Sequence, residues 1–270
     1  MRSGKIDVKK LFDLSGRVVV LTGASGLLGT QYAIGLSQAG ANVVLADIDY
    51  NRCNQLARDL QKKYGVDPLP VRVDITSKQS IKKMIAQTIK KFSKIDVLVN
   101  NAVYPESKKE RLVAFDKFPL LSWNKALAVN ITGMFLSCQE VSRIMLRQKN
   151  GVIINVSSIY GLVAADQRIY GNSGLNSSVV YAVTKSAVLN LTRYLASYWQ
   201  KTGIRVNTLS LGGVENKQSP DFIKNYSYKT MIGRMARKDE YVGALLFLAS
   251  DASSYMTGAN LIVDGGWTAW

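Results

Sequence analysis

The chain passes from RVVVLT (17–22) through TGASGLLG (22–29) into the helical apolar spacing of residues 27–39, and no other stretch constrains the fold so much. A short β-branched run without polar interruption reads as a strand covered on both faces. Glycines placed where such a strand feeds a helix let an anionic group approach backbone N–H groups at the helix N-terminus. Gly23, Ser25, Gly26, Leu27, Leu28 and Gly29 are therefore candidate contacts to a pyrophosphate. No lysine follows the glycines, which argues against a nucleotide-triphosphate loop. The rival reading is a tight turn whose glycines serve packing alone.

The rest of the chain repeats the alternation. Strands are expected at 41–47, 68–74, 95–100, 151–158, 204–210 and 259–266, with helical patterns at 51–63, 77–92, 119–149 and 179–200. Buried strands alternating with helices predict an α/β fold, a Rossmann-type doubly wound parallel sheet of about seven strands with helices on both faces. Ligands of such sheets bind at the carboxyl ends of the strands. Asp47 ends the second strand, where a carboxylate would accept hydrogen bonds from adenosine ribose hydroxyls and repel a 2′-phosphate. Ile48 and Ser25 offer no positive charge to offset that repulsion, so NAD is expected over NADP.

Composition narrows the chemistry. The chain has no histidine, which removes Ser-His-Asp triads and Cys-His pairs and leaves Tyr, Lys, Asp, Glu or Cys for proton transfer. Two cysteines, Cys53 and Cys138, suggest neither a disulfide framework nor a zinc site, and no metal is expected. The formal charge of +16 admits a nucleic-acid partner as one reading. Its lysines fall mainly on helix faces, as at Lys82, Lys83, Lys90 and Lys91, which reads as solvated surface. The polar start, MRSGKIDVKKLFDLSG, lacks a signal-peptide core and no run of eighteen apolar residues occurs, so a cytoplasmic protein without a membrane span is expected. No linker or repeat interrupts residues 1–270, and one domain is expected, with 1–13 as an N-terminal extension.

Two Tyr-x-x-x-Lys pairs occur. Tyr104 and Lys108 enclose Pro105 in a loop context, whereas Tyr181 and Lys185 lie in VVYAVTKSAVLNLTRYLA, where helical spacing puts both on one face. A nearby ammonium favours the phenolate and is expected to lower the tyrosine's pKa toward the working range.

The stretches TGASGLLG (22–29), VDI (73–75), NNA (100–102), VNITG (129–133), IINVSS (153–158), YAVTK (181–185), IRVN (204–207) and MTGANLIVDGG (256–266) resemble, in order and spacing, the short-chain dehydrogenase/reductase family over residues 14–266. The resemblance implies Tyr181 as general acid/base, Lys185 as holder of the nicotinamide ribose, Ser158 as the group polarising the carbonyl, and Asn130 as support for a water-linked proton relay. It also implies cofactor contacts at Asp74, Ile75, Asn100, Ala102, Gly212 and Val214, and a homo-oligomer, tetramer or dimer. Rival readings stay open: Asn130 satisfied within its helix, Ser157 in place of Ser158, and Asp74 as a helix cap.

The chain departs from the family pattern at several places. Its glycines are spaced TGxxGxxG, Val103 stands where NNAG has glycine, and Leu211 replaces a proline usual after the sixth strand. Ser158 and Tyr181 stand 23 positions apart, longer than the family's usual separation, so the extra chain must loop out and return over the substrate pocket. Residues 164–178 are thus an inserted substrate loop, with Gln167, Arg168 and Tyr170 as candidate substrate donors. This longer form resembles a subgroup named flagellin modification protein A, tied to surface-sugar biosynthesis. The expected function is NAD-dependent interconversion of a secondary alcohol and a ketone on a sugar or other polyhydroxylated small molecule. Alternatives are a sugar or sugar-nucleotide epimerase or dehydratase retaining NAD, and a non-catalytic dinucleotide-sensing or nucleic-acid-binding protein.

Overall fold

The computed structural model describes residues 7–270, so the first six residues of the expected extension lie outside the described part. Seven parallel strands form one sheet in the order β3-β2-β1-β4-β5-β6-β7. They are β1 (Val18–Thr22), β2 (Asn42–Asp47), β3 (Leu69–Arg72), β4 (Val97–Asn100), β5 (Gly151–Ser158), β6 (Ile204–Leu211) and β7 (Asn260–Val263). The chain winds outward from β1 to β3 and then returns to lay β4 on the other side of β1. That reversal opens a crevice at the carboxyl ends of β1 and β4, the usual ligand position in such sheets.

The β-branched runs alternate by face. Val19 and Leu21 of β1 pack with α2 (Leu27–Gln38), α3 (Tyr50–Tyr64) and α9 (Val242–Ala249) through Leu36, Leu60 and Leu245. Val18 and Val20 pack on the opposite side with α4 (Lys78–Phe92), α6 (Met134–Gln148) and α7 (Val179–Tyr198) through Met84, Val141 and Val188. Full burial of each such side chain contributes about 1.5–3 kcal/mol, and the helices of the parallel crossovers are what cover both faces.

Helix ends follow local chemistry. Asp49, Ser77, Ser178 and Ser219 accept from backbone N–H groups at the starts of α3, α4, α7 and α8 (Pro220–Tyr228). Within the expected extension, Val8–Phe12 form a short helix, α1, capped by Asp7, and Arg17 just after it pairs with Asp251 at 2.6 Å. The expected helix over 119–149 is interrupted: α5 (Leu120–Leu127) widens into a π-helical turn over Ala128–Gly133 before α6 begins. β6 runs one residue past its expected end, because Leu211, unlike proline, keeps the N–H a strand needs and pairs with Ser158 and Val263.

Candidate active site

A cleft opens at the carboxyl ends of β1, β4, β5 and β6, with Val103, Ser158, Tyr181, Lys185, Gly212 and Tyr226 among its lining residues. Ser158 ends β5, and its Oγ accepts from the Tyr160 N–H at 3.2 Å. Ser178 caps α7 by accepting the Tyr181 N–H at 3.3 Å, which starts the helix three residues before the phenol. The long excursion after Ser158 does return, since Ser158 and Tyr181 line the same cleft, with the serine hydroxyl near enough to favour the phenolate. Ser157 serves elsewhere, because its Oγ donates to the Lys185 carbonyl at 2.8 Å and anchors α7 on β5.

Lys185 is buried one turn after Tyr181, donates from Nζ to the Val156 carbonyl at 2.9 Å, and lies 5.7 Å from the centre of the Tyr181 ring. Burial pulls its pKa down to about 8. The expected lowering of the tyrosine is not what the protein alone shows. Burial raises Tyr181 above the ordinary phenol value, the Ser158 hydrogen bond pulls it back in part, and the Glu106 carboxylate adds to the rise. Glu106 itself is raised by burial and shares a hydrogen bond with Ser178. The ammonium spends its contact on Val156 instead of the phenol, so desolvation dominates.

Asn130 sits buried in the π-helical turn, a place where widened turns often serve function. Its side chain accepts the Tyr104 N–H at 2.7 Å and donates to Thr184 Oγ1 at 3.1 Å. Thr184 in turn donates to the Tyr181 carbonyl, so Asn130 ties the loop after β4 to the helix that carries the phenol. Tyr104 and Lys108 do not form a second pair: the Tyr104 hydroxyl donates to Glu110, while Lys108 is exposed.

The glycine turn fits a dinucleotide. Gly26 caps α2 with no side-chain hydrogen bond, leaving the first helical N–H groups, at Leu27, Leu28 and Gly29, aimed outward without a side-chain acceptor. Gly23 adopts φ +67° and a Cβ there would fall 2.8 Å from the Ala102 Cα, so only glycine lets the turn lie against the end of β4. Asp47 accepts the Ser25 N–H at 3.0 Å and the Asp49 N–H at 3.1 Å, which aims its carboxylate at the turn. One cation goes beyond the sequence expectation: Arg72 stands in register beside Asp47 across the β2–β3 ladder.

Other expected contacts divide. Asp74 does not cap α4, a role taken by Ser77; its Oδ1 instead accepts from the Thr76 N–H at 2.9 Å and hydroxyl at 2.7 Å. Ile75 is buried, and a Cβ on Gly133 would fall 2.8 Å from its Cδ1. The Asn100 side chain points into the core, donating to Asn155 Oδ1 at 2.9 Å and to Cys138 Sγ at 3.2 Å. Asn101 instead borders the cleft and donates to the Thr22 and Gly23 carbonyls, both at 3.1 Å. An asparagine doublet does not by itself say which member faces the crevice. Gly212 and Val214 border the cleft, and the Tyr241 hydroxyl holds the Gly212 carbonyl at 2.9 Å.

Of the three loop candidates, only Tyr170 lines the cleft. Its ring packs 5.2 Å from Phe222, Phe222 packs 6.0 Å from Tyr226, and Tyr226 stacks 4.3 Å from Trp267, making one aromatic wall. Gln167 closes the neck of the insertion, with Nε2 donating to the Ser177 carbonyl at 3.1 Å and Oε1 accepting the Ser177 N–H at 2.9 Å. Arg168 points away from the cleft to Asp166 at 2.8 Å. Helix α8, which no apolar spacing announces, supplies Phe222 and Tyr226.

Residues 23–268 match the family model described as enoyl-(acyl carrier protein) reductase. The chain is 34% identical over 254 residues to post-translational flagellin modification protein A of Campylobacter coli, covering 94% of this chain and 99% of that one. It is 32% identical over 265 residues to an NAD-dependent glycerol dehydrogenase of Listeria innocua, covering 96% of each. A solved gluconate 5-dehydrogenase from Burkholderia cenocepacia, in complex with NADP and tartrate, superposes with a TM-score of 0.87 at 30% identity, covering 98% of this chain and 100% of that one. Matches of this length, on a seven-stranded parallel sheet with its glycine turn at the switch point, carry the conclusion: the chain belongs to the short-chain dehydrogenase/reductase family, enzymes that act on small molecules with a nicotinamide dinucleotide.

Proposed function

We propose that the protein interconverts a secondary alcohol and a ketone on a polyhydroxylated substrate, with NAD as the preferred cofactor. The observation that carries this reading is the meeting of Ser158 and Tyr181 above buried Lys185, at the end of a cleft walled by aromatic rings. With its pyrophosphate held at the glycine turn, a bound nicotinamide dinucleotide would supply or accept the hydride at the substrate carbon. In oxidation the Tyr181 phenolate takes the hydroxyl proton; in reduction the phenol returns it to the carbonyl oxygen. Ser158 orients that oxygen by hydrogen bonding, and Lys185 with its neighbours holds the ribose and carries positive charge below the phenol.

The Asp47 carboxylate supports NAD, since it would face a 2′-phosphate, although Arg72 beside it weakens the discrimination. Residues 164–178 act as a substrate loop through Tyr170, whose ring and hydroxyl suit a hydroxylated chain or ring. The exposed apolar residues Leu120, Leu121, Phe135, Tyr194 and Tyr198 on α5, α6 and α7 support a homo-oligomer. Among the described residues no helix is long and apolar enough to cross a membrane, and Cys53 and Cys138 are both buried and free.

The test is an NADH-formation screen over polyols, sugar acids and sugar nucleotides, run beside Tyr181→Phe. Turnover should vanish in the variant while NAD binding persists. Full activity in Tyr181→Phe would overturn the assignment.

A further inference from the structure

A second cleft, of about 390 Å³, lies on the far side of the aromatic wall. It is bordered by Asp166, Arg168 and Ile169 from the insertion and by Lys224, Asn225, Tyr228 and Lys229 from α8 and its end. The same two elements thus face two ways. Phe222 and Tyr226 of α8 look into the catalytic cleft with Tyr170 of the insertion, while the intervening residues look into this one. The seam between them is thin: Asn225 Nδ2 donates to the Ile169 carbonyl at 3.3 Å, and Tyr170 meets Phe222.

The charge in the second cleft does not balance. Asp166 is the lone carboxylate among its lining residues and is shared, 2.8 Å from Arg168 and 3.0 Å from Lys229. That double pairing holds its carboxyl well below the usual range. Lys224 makes no ion pair among the described residues, so three cations face one anion. Arg168 comes from the insertion and Lys224 and Lys229 from α8 and its end; Asp166 already ties the two elements through Lys229, and the positive charge left in excess on both is what a second anion would offset. The Lys224 ammonium, the N–H groups that Arg168 and Lys229 do not give to Asp166, and the second N–H of the Asn225 amide are the donors left for a compact dianion.

We propose that this cleft binds a phosphate-type dianion, either free phosphate or a phosphoryl group carried by the substrate, and that binding clamps the insertion to α8. Because Tyr170 and Phe222 ride on those elements, the clamp sets the aromatic wall of the catalytic cleft, and the anion lowers the KM for substrate without entering the chemistry. The consequence for KM rests on the oxidoreductase reading; the binding itself does not.

The test therefore reads binding and backbone protection rather than turnover. Inorganic phosphate, compared with sodium chloride at equal ionic strength, should slow amide hydrogen exchange in 164–172 and 220–229 of the full chain. The Lys224→Gln and Arg168→Gln double variant should need about tenfold more phosphate for the same protection, the size expected for about 1.4 kcal/mol of lost charge-assisted bonding. Phosphate also reaches glycine turns, so protection equal in the double variant and the wild type would overturn the proposal. No protection in either would overturn it as well. Glucose 6-phosphate serves as the second probe. Protection at lower concentration than inorganic phosphate supports a substrate phosphoryl group as source, and equal concentration supports free phosphate. Binding without any dehydrogenase activity would sink the oxidoreductase reading and leave this site standing.

Discussion

Lys185 Nζ donates to the Val156 carbonyl 2.9 Å away, so a buried ammonium is held by a strand end instead of by a carboxylate. With its pKa near 8 in the fold and 10.5 as the ordinary value, the folded protein releases this proton before the unfolded chain does. Between those two values the unfolded state binds more protons, so raising the pH stabilises the fold; below about 8 the penalty is constant. The window carries on the order of 3 kcal/mol. Lys185→Met should therefore lose the part of the stability gain between pH 8 and 10.5 that belongs to this group, and lose activity. Urea midpoints of both proteins across that range check it, and parallel curves would refute it.

On the proposed roles, Ser158 should act on the pH profile as well as on the rate. Its hydrogen bond is what lowers a phenol that burial otherwise raises. Alcohol oxidation needs the phenolate, so its rate should climb with pH into the alkaline range. Ser158→Ala should reduce kcat by about 10²-fold, as for the loss of one preorganised donor. It should also move the climbing limb to higher pH. A lower rate with an unmoved profile would leave Ser158 as a carbonyl ligand only.

The proposed NAD preference rests on two side chains that the β2–β3 ladder places side by side, Asp47 and Arg72. Asp47→Ser removes the carboxylate that faces a 2′-phosphate and should raise kcat/KM with NADP by about tenfold or more, a change of about 1.4 kcal/mol. Arg72→Ala should shift preference the other way, further toward NAD. Kinetics with both cofactors for each variant decide this, and no change in the NADP/NAD ratio for Arg72→Ala would remove that residue from the account.

Tyr170 and Gln167 separate contact from support. Tyr170→Ala takes a ring out of the wall and should raise KM with little change in kcat, because uniform binding is lost. Gln167→Ala opens the two-bond neck and should accelerate amide exchange in 167–177 before it alters kinetics. Equal exchange in the variant and the wild type would show that the neck is not what holds the loop.

The sheet and the paired tyrosine and lysine are legible in the sequence because each leaves a local mark: an unbroken apolar run for a strand covered on both faces, a four-residue step along one helix face. The acid at the end of β2 follows from the same kind of run. What the sequence hides depends on side-chain direction or on context. Asn100 and Asn101 are adjacent, and only the pleat decides that the first enters the core. Helix α9, VGALLFLA, is apolar throughout and shows no period, while α8, PDFIKNYSY, is short and mostly polar. The π-helical turn at Ala128–Gly133 interrupts a pattern that reads as one continuous helix. The pKa of Tyr181 is hidden for another reason: it reflects burial, which no spacing reports.

The clasp between Gln167 and Ser177 has a consequence for how this enzyme could diversify. It closes residues 168–176 into a ring whose base is set before α7 begins, and whose outer side rests on Val113 through Asn176 and on α8 through Ile169 and Tyr170. Changes within the ring can then redraw the wall facing the substrate while Ser158, Tyr181 and Lys185 keep their positions. On the proposed roles, recognition and proton transfer would then change separately, and a grafted ring from a relative, with its partners on α8, would be a route to new substrates on unchanged chemistry.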